Sequence, residues 1–179
     1  MKNNKVMMLA IIALTVLFLP RSLNAQADNK KLLKDGKEAK MAFIKTDASM
    51  KNLFDNSYGY AIFPNISKGA VVVGGAGGKG VAYEKGKVIG TAKMAQVTAG
   101  AQVGGQTYRE VIFFENKDAL DRFKENKIEF SGQVSAVAAK SGASANAKYR
   151  DGVAVFTEGK GGLMLEASLG GQKFTYKPL

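Results

Sequence analysis

Tyr58–Gly80 reads YGYAIFPNISKGAVVVGGAGGKG, and the fold turns on how this stretch is understood. It opens with a short apolar run, Tyr60-Ala61-Ile62-Phe63. Pro64 is expected to stop that run, because proline has no N–H to give to a ladder and is pushed to strand ends and edges. Asn65 to Gly69 then suits a turn, with the Lys68 ammonium in solvent beside the chain reversal. Ala70-Val71-Val72-Val73 is short and β-branched, the pattern of a buried strand, and it leads into Gly74, Gly75, Gly77, Gly78 and Gly80.

Two sharp readings of these glycines fail. Gly75-Ala76-Gly77-Gly78-Lys79-Gly80 fits G-x-G-x-x-G, but a dinucleotide site needs a helix next, and Val81 to Ile89 is β-branched, aromatic and broken by a turn glycine. A phosphate loop needs glycine where Val73 stands and Ser or Thr where Gly80 stands. What remains is structural: the glycines allow bulges and close backbone approach in a tightly curved sheet.

An apolar run ending in Ile62-Phe63-Pro64, then Lys68, then a glycine-rich strand closing on Gly77-Gly78-Lys79-Gly80, resembles the opening of the SYLF domain, a lipid-binding module of bacteria, fungi, plants and animals. Ala99 to Gln106 followed by Tyr108-Arg109-Glu110-Val111-Ile112-Phe113-Phe114 resembles the family's next strand pair, and Asn116, Ala119, Leu120 and Phe123 resemble its short helix. The resemblance runs from about Leu32 to the C-terminus. It implies phospholipid or phosphoinositide binding without catalysis. Eukaryotic members are also tied to actin regulation, a role that an exported protein would hardly share.

Export is expected from the amino terminus. Lys2 and Lys5 precede an apolar run from Val6 to Leu19, after which Pro20 and small residues lead to Ala25-Gln26-Ala27. This is the three-part layout of a secretory signal peptide. The run is shorter than the roughly 20 residues of a comfortable transmembrane helix. Residues 1–27 are therefore expected to be a leader cut after Ala25 or Ala27, with an uncleaved anchor as the alternative, and residues 28–179 to form a single domain in the periplasm or outside the cell. With no cysteine in the chain, lipoprotein attachment and disulfides are both excluded.

The formal charge is +11, and removing Lys2, Lys5 and Arg21 with the leader lowers it to +8. On an exported protein this surplus points to anionic lipid, polyanionic saccharide or an acidic protein before nucleic acid; solubility alone is the plain alternative.

Asp28 to Phe54 is rich in helix formers. Leu32, Leu33, Gly36, Ala39, Ala42 and Phe43 fall on one face, while Lys30, Lys31, Lys34, Lys37, Lys40 and Lys45 crowd the remainder. Such a helix either lies on an anionic membrane or packs its apolar face on the β-domain. The second reading is favoured, since the anchors are modest and tryptophan is absent. Thr46-Asp47 resembles an N-cap restarting a short helix through Met50, Leu53 and Phe54.

Further along, Glu84-Lys85-Gly86-Lys87 is a turn signal between two strand arms, which would gather Lys79, Lys85, Lys87 and Lys93 at one end of a sheet. Met94 to Gln106 alternates, with Gln96 on one side and Val97, Ala99 and Ala101 on an apolar, close-packed face. Tyr108–Phe114 is apolar on both faces in its middle, as an interior strand would be, and Asn116-Lys117-Asp118 starts a helix over about Lys117–Glu125 with Leu120 and Phe123 inward. Gly132–Ala138 is a candidate strand, Ser141–Asn146 a loop, and Val153–Thr157 with Gly162–Leu169 a hairpin around Glu158–Gly161.

The chain has neither histidine nor cysteine, which removes Ser-His-Asp and Cys-His catalysis, the common zinc sets and any histidine base. Carboxylate pairs could still work as acid and base, and Glu84, Glu110, Glu115, Asp118, Glu158 and Glu166 are the candidates. Most stand in turns or beside lysines, where surface ionic roles are the ordinary expectation.

The sequence thus predicts an α+β fold: a glycine-rich, strongly curved antiparallel sheet or barrel with N-terminal helices and one further short helix. It predicts no catalytic residues, metal or cofactor. The function expected is binding of anionic phospholipid at a membrane surface in the cell envelope. Lys68 and Lys79, inside the resembling motif, are the candidate headgroup ligands, and Lys85, Lys87, Lys93, Lys30, Lys31, Lys34 and Lys37 are expected to add electrostatic support. The rival is a structural or adaptor protein contacting an envelope protein or polysaccharide through a sheet edge or the first helix.

Overall fold

The computed structural model describes residues 20–69, 73–99, 106–128, 130, 136–160 and 171–179. Two helices come first, α1 over Pro20–Thr46 and α2 over Met50–Asn56. They are followed by strands β1 (Gly59–Gly69), β2 (Val73–Glu84), β3 (Lys87–Ala99) and β4 (Gln106–Phe114), and by helix α3 (Lys117–Lys124). Strands β5 (Val137–Ala138), β6 (Val153–Gly159) and β7 (Gln172–Pro178) complete the described elements. The strands form one sheet in the order β5-β6-β4-β1-β2-β3-β7.

The fold is α+β, as expected, and the sheet is strongly curved. Glu110 on β4 and Gln172 on β7 lie four strand intervals apart, which in a flat sheet is about 19 Å at the usual spacing. Yet the Gln172 Nε2 donates to Glu110 Oε2 at 3.0 Å. Only a rolled sheet brings the two together. It does not close into a barrel, however, since β5 and β7 end the order without pairing among the described residues. Nor is it wholly antiparallel: β5 runs parallel to β6. The chain between them makes the crossover that a parallel neighbour requires, through the expected loop at Ser141–Asn146.

Pro64 does not end β1, which continues to Gly69 in place of the expected turn. The register with β2 jumps from Ile62↔Val81 to Asn65↔Lys79, so Phe63 and Pro64 together face Gly80. This bulge takes up the proline without spending a ladder donor. It also explains two of the glycines. A Cβ on Gly80 would stand 2.6 Å from the Phe63 ring, and one on Gly78 would stand 2.5 Å from the Asn65 carbonyl oxygen. The β2–β3 turn has Lys85 at φ 48° and Gly86 at φ 77°, the double left-handed geometry of a two-residue hairpin. β2 therefore feeds another strand, and no dinucleotide helix follows it.

Each face of the sheet carries a core. On the convex face Ala39 and Phe43 of α1 and Met50 and Phe54 of α2 cover Tyr60, Ile62, Val81, Val111, Phe113 and Phe156. The apolar side of the lysine-rich helix thus packs on the β-domain, as favoured above. The junction between the helices is held differently from the expected cap. Helix α2 starts after Ser49, which makes no side-chain cap bond, while the Asp47 carboxylate accepts the N–H groups of Ser49 and Ser144. On the concave face Phe63, Ile112, Phe114 and Phe174 meet Leu120 and Phe123 of α3. The Asn116 side chain caps α3 by accepting the Ala119 N–H at 3.0 Å, and β4 is interior between β1 and β6.

The concave face also holds polar side chains. Gln96 is buried beside Met94 while Ala95 is exposed, the reverse of the expected facing of β3. Glu110, one of the candidate carboxylates, is fully buried. Gly161, the strand Gly162–Leu169 and most of Gly132–Ala138 lie outside the described residues. So do residues 1–19 of the expected leader, whereas Pro20–Ala27 form the start of α1.

Candidate functional site

Strand alternation and the open convex face of β2, β3 and β7 together bring lysines into one field. Lys79 and Lys93 are direct cross-strand partners, and Lys93 in turn faces Thr175. One pair to either side, Ala95 faces Lys173 and Thr91 faces Lys177. Because directly opposed residues share a face, Lys79, Lys93, Lys173 and Lys177 project together. All are exposed. The α1 lysines border this field. A groove of about 260 Å³ runs between Lys31, Leu32 and Asp35 of α1 and Pro64, Asn65 and Lys79 of the sheet.

Beyond Asn65 the positive band continues to two further cations. Arg109 on β4 is paired to Glu158 at 3.0 Å, and Lys160 donates to the Asn65 side chain. Burial, helped by the nearby Arg109 charge, pushes the Lys160 ammonium below the ordinary lysine range. The band is not purely cationic: Asp28 lies 3.5 Å from Lys79, and Asp35 lies 2.6 Å from Lys31. Hydrogen bonding to Asp35 raises the Lys31 pKa.

The expected site residues separate into four groups. Lys79 and Lys93 are brought together, with Lys31 at their border. Lys30, Lys34 and Lys37 stand exposed on α1, and Lys34 pairs loosely with Glu38 at 3.8 Å. Lys85 and Lys87 do not join Lys79 and Lys93 at one end: they occupy the hairpin turn, about 20 Å along β2 from Lys79, and the Lys85 ammonium sits 5.1 Å over the Tyr58 ring. Lys68 is on the other side of the sheet. It alternates with Ile66 and faces Ala76, both buried on the concave side, so it lies at the concave rim while Lys79 lies on the convex face.

Lys173 and Lys177 were missed by the sequence reading, although Gln172-Lys173-Phe174-Thr175-Tyr176-Lys177 alternates cleanly enough to have placed them. Arg109 and Lys160 were missed because only the fold carries them to Asn65. Of the candidate carboxylates, Glu84 accepts from Tyr58 and Lys124, and Glu158 from Arg109 and Thr46. Glu115 and Asp118 are exposed, Glu110 is enclosed, and Glu166 lies outside the described residues. No cluster of potential metal ligands occurs among the described residues, and none of the helices there is long and apolar enough to cross a membrane.

Residues 95–177 match the model of the Ysc84 family, described as Las17-binding protein actin regulator, which is the SYLF domain. This half of the molecule belongs to the SYLF family. Beta cell expansion factor A of Aeromonas veronii, which carries the same domain, is 37% identical over 127 residues, covering 70% of this chain and 48% of that protein. The chain thus spans about half the length of this relative. SYLF domains are binding or adaptor modules, commonly for lipid, and form no known enzyme family. The SYLF match includes Lys173, Lys177, Arg109 and Lys160, while Lys79 and Lys93 precede it.

Proposed function

We propose that this chain is a non-enzymatic, exported lipid-binding protein of the cell envelope, periplasmic or secreted, that docks on anionic phospholipid through the convex lysine face. The observation that carries the reading is the register of Lys79 with Lys93, flanked by Lys173 and Lys177, on a sheet face left in solvent. Like charges placed opposite each other on neighbouring strands cost stability. A surface of lipid phosphates would turn that cost into attraction, at about 1 kcal/mol for each lysine near an anionic membrane. The leader-like residues 1–27 support export, and membership of a commonly lipid-binding family supports the ligand class. The family description, which names a protein partner, favours a second reading as an adaptor for an envelope protein or polysaccharide.

Co-sedimentation with phosphatidylcholine vesicles carrying increasing phosphatidylglycerol separates the two. Docking requires pelleting that rises with the anionic fraction, falls with salt, and drops at least tenfold in affinity when Lys79, Lys93, Lys173 and Lys177 are all changed to Gln. Equal retention on neutral and anionic vesicles at low salt, or none on either, sinks the lipid reading in favour of the adaptor.

A further inference from the structure

Strand β6 is covered along its outer edge at two places. Parallel β5 pairs with it at Phe156 and Thr157. Nearer its start, Arg150 and Val153 exchange backbone hydrogen bonds of 2.9 and 3.0 Å around a two-residue turn, with Asp151 at φ 51° and Gly152 at φ 75°. The space between Val137, where β5 begins, and Arg150 is a cavity of about 290 Å³ that touches Val153, Ala154, Val155 and Phe156 alike. Successive side chains of a strand point to opposite faces, so a cavity that meets four residues in a row lies alongside the strand, at its edge. It shares no residue with the lysine face and belongs to the opposite end of the strand order.

The rest of the lining combines apolar surface with positive charge. Val137, Ala143 and Ala147 supply the first, and Val137 is left 38% exposed. Asn146, Lys148 and Arg150 supply the polar groups, and among the described residues no acid lines the cavity. Lys148 and Arg150 are exposed, and neither side chain has an ion pair or hydrogen bond among the described residues. The acids close at hand are engaged elsewhere: the Asp151 carboxylate pairs with Arg122 at 2.9 Å, and Asp47 accepts the N–H groups of Ser49 and Ser144. Two unneutralised cations beside uncovered apolar surface call for an anion that carries an apolar group. Size narrows the choice. Only Ala154 and Val155 separate Val153 from the stretch that β5 covers, roughly 7 Å of strand, too little for an added peptide strand. The volume also falls just short of the roughly 300–1,000 Å³ usual for drug-sized ligands, so the occupant is a small molecule.

We propose that this edge cavity binds a small amphiphilic monocarboxylate, with its carboxylate between Lys148 and Arg150 and its short chain against Val137, Ala143 and Ala147. The Arg150 guanidinium offers the planar fork that matches a carboxylate, and Lys148 adds a second point of charge. An ammonium head would meet like charge and be refused. A head with no chain would leave Val137 uncovered.

The test is isothermal titration of the full chain with octanoate, 1-octanol, octylamine and acetate, each kept below its micelle threshold or solubility limit. The expected result is one-to-one binding of octanoate, at least tenfold tighter than of octanol, octylamine or acetate. Changing Lys148 and Arg150 together to Gln should weaken octanoate at least tenfold and bring it level with octanol. Octanoate bound no more tightly than octanol or acetate, preference for octylamine, no binding of octanoate, or undiminished binding in the double variant overturns the proposal. Both substituted side chains are exposed, so the fold is not at stake in that variant, and the ranking of the four compounds on the unaltered protein is a second reading that needs no variant. Pelleting with anionic vesicles is expected to be unchanged in the double variant, so failure of this cavity and failure of the lysine face are read separately.

Discussion

Lys79 and Lys93 stand directly opposite each other on β2 and β3, two positive charges in a position where sheets gain from an attractive pair. Each is exposed, so solvent moderates the repulsion without reversing it. Lys93→Glu replaces it with attraction. The folded state should gain about 0.2–1 kcal/mol, visible as a higher urea midpoint at low salt, while retention on anionic vesicles falls. A variant both less stable and equally well retained would separate this pair from any docking role.

Gly80 is required by packing, not by backbone conformation. The Phe63 ring and the Ile62 carbonyl oxygen would lie 2.6 Å and 2.8 Å from a Cβ there. The carbonyl belongs to the backbone of the neighbouring strand and cannot swing aside. Gly80→Ala is therefore expected to cost about 1–3 kcal/mol, as overpacking does, measured by urea denaturation. Gly86→Ala makes a useful contrast, since a Cβ there meets nothing within 4 Å and its cost would come from φ 77° alone.

These two glycines also show how far the sequence carries. The cluster from Gly74 to Gly80 pointed to close approach and curvature, and Phe63 on Gly80 is such an approach. The helices, the hairpin at Lys85-Gly86, the interior place of β4 and the Asn116 cap were legible because each rests on neighbours in sequence. Pro64 misled because a bulge is a relation between two strands, and one strand's sequence does not display it. The facing of Gln96 misled for a related reason: polarity ordinarily marks the solvent side, but the rolled sheet buries this residue. The same rolling brings the buried Glu110 to Gln172 from four strands away. The candidate site was half legible: the motif lysine Lys79 lies in the field, while the same strand bulge leaves Lys68 at the opposite rim.

Burial pushes the Glu110 carboxyl up to about 7, opposed only in part by its bond from Gln172. The folded protein then holds this proton more tightly than the unfolded chain, whose glutamate releases it near 4.3. Stability from this group is complete below that lower value and declines as pH rises through the window up to about 7, by an amount on the order of 3 kcal/mol. Glu110→Gln removes the titration. The difference in unfolding free energy between the two proteins, measured by urea from pH 4 to pH 8, should grow in the variant's favour across that window and level off above it. A constant difference would mean that Glu110 does not titrate there.

Asp47 makes the opposite prediction. Burial works against its ionised form, but N–H groups donated by Ser144 at 2.7 Å and Ser49 at 3.0 Å outweigh it and hold the carboxyl below the usual range. Its contribution is therefore present above the unfolded value near 3.9 and lost as pH falls further, through the folded pKa. The carboxylate ties the α1–α2 junction to the loop at Ser141–Asn146. Asp47→Ala leaves two donors without their acceptor and should cost about 1–3 kcal/mol at neutral pH. Hydrogen exchange places the loss: the Ser144 amide should exchange much faster in the variant, while amides in the middle of β1 and β4 change only as far as global stability does. Unaltered protection at Ser144 would show that the loop is held by something other than this carboxylate.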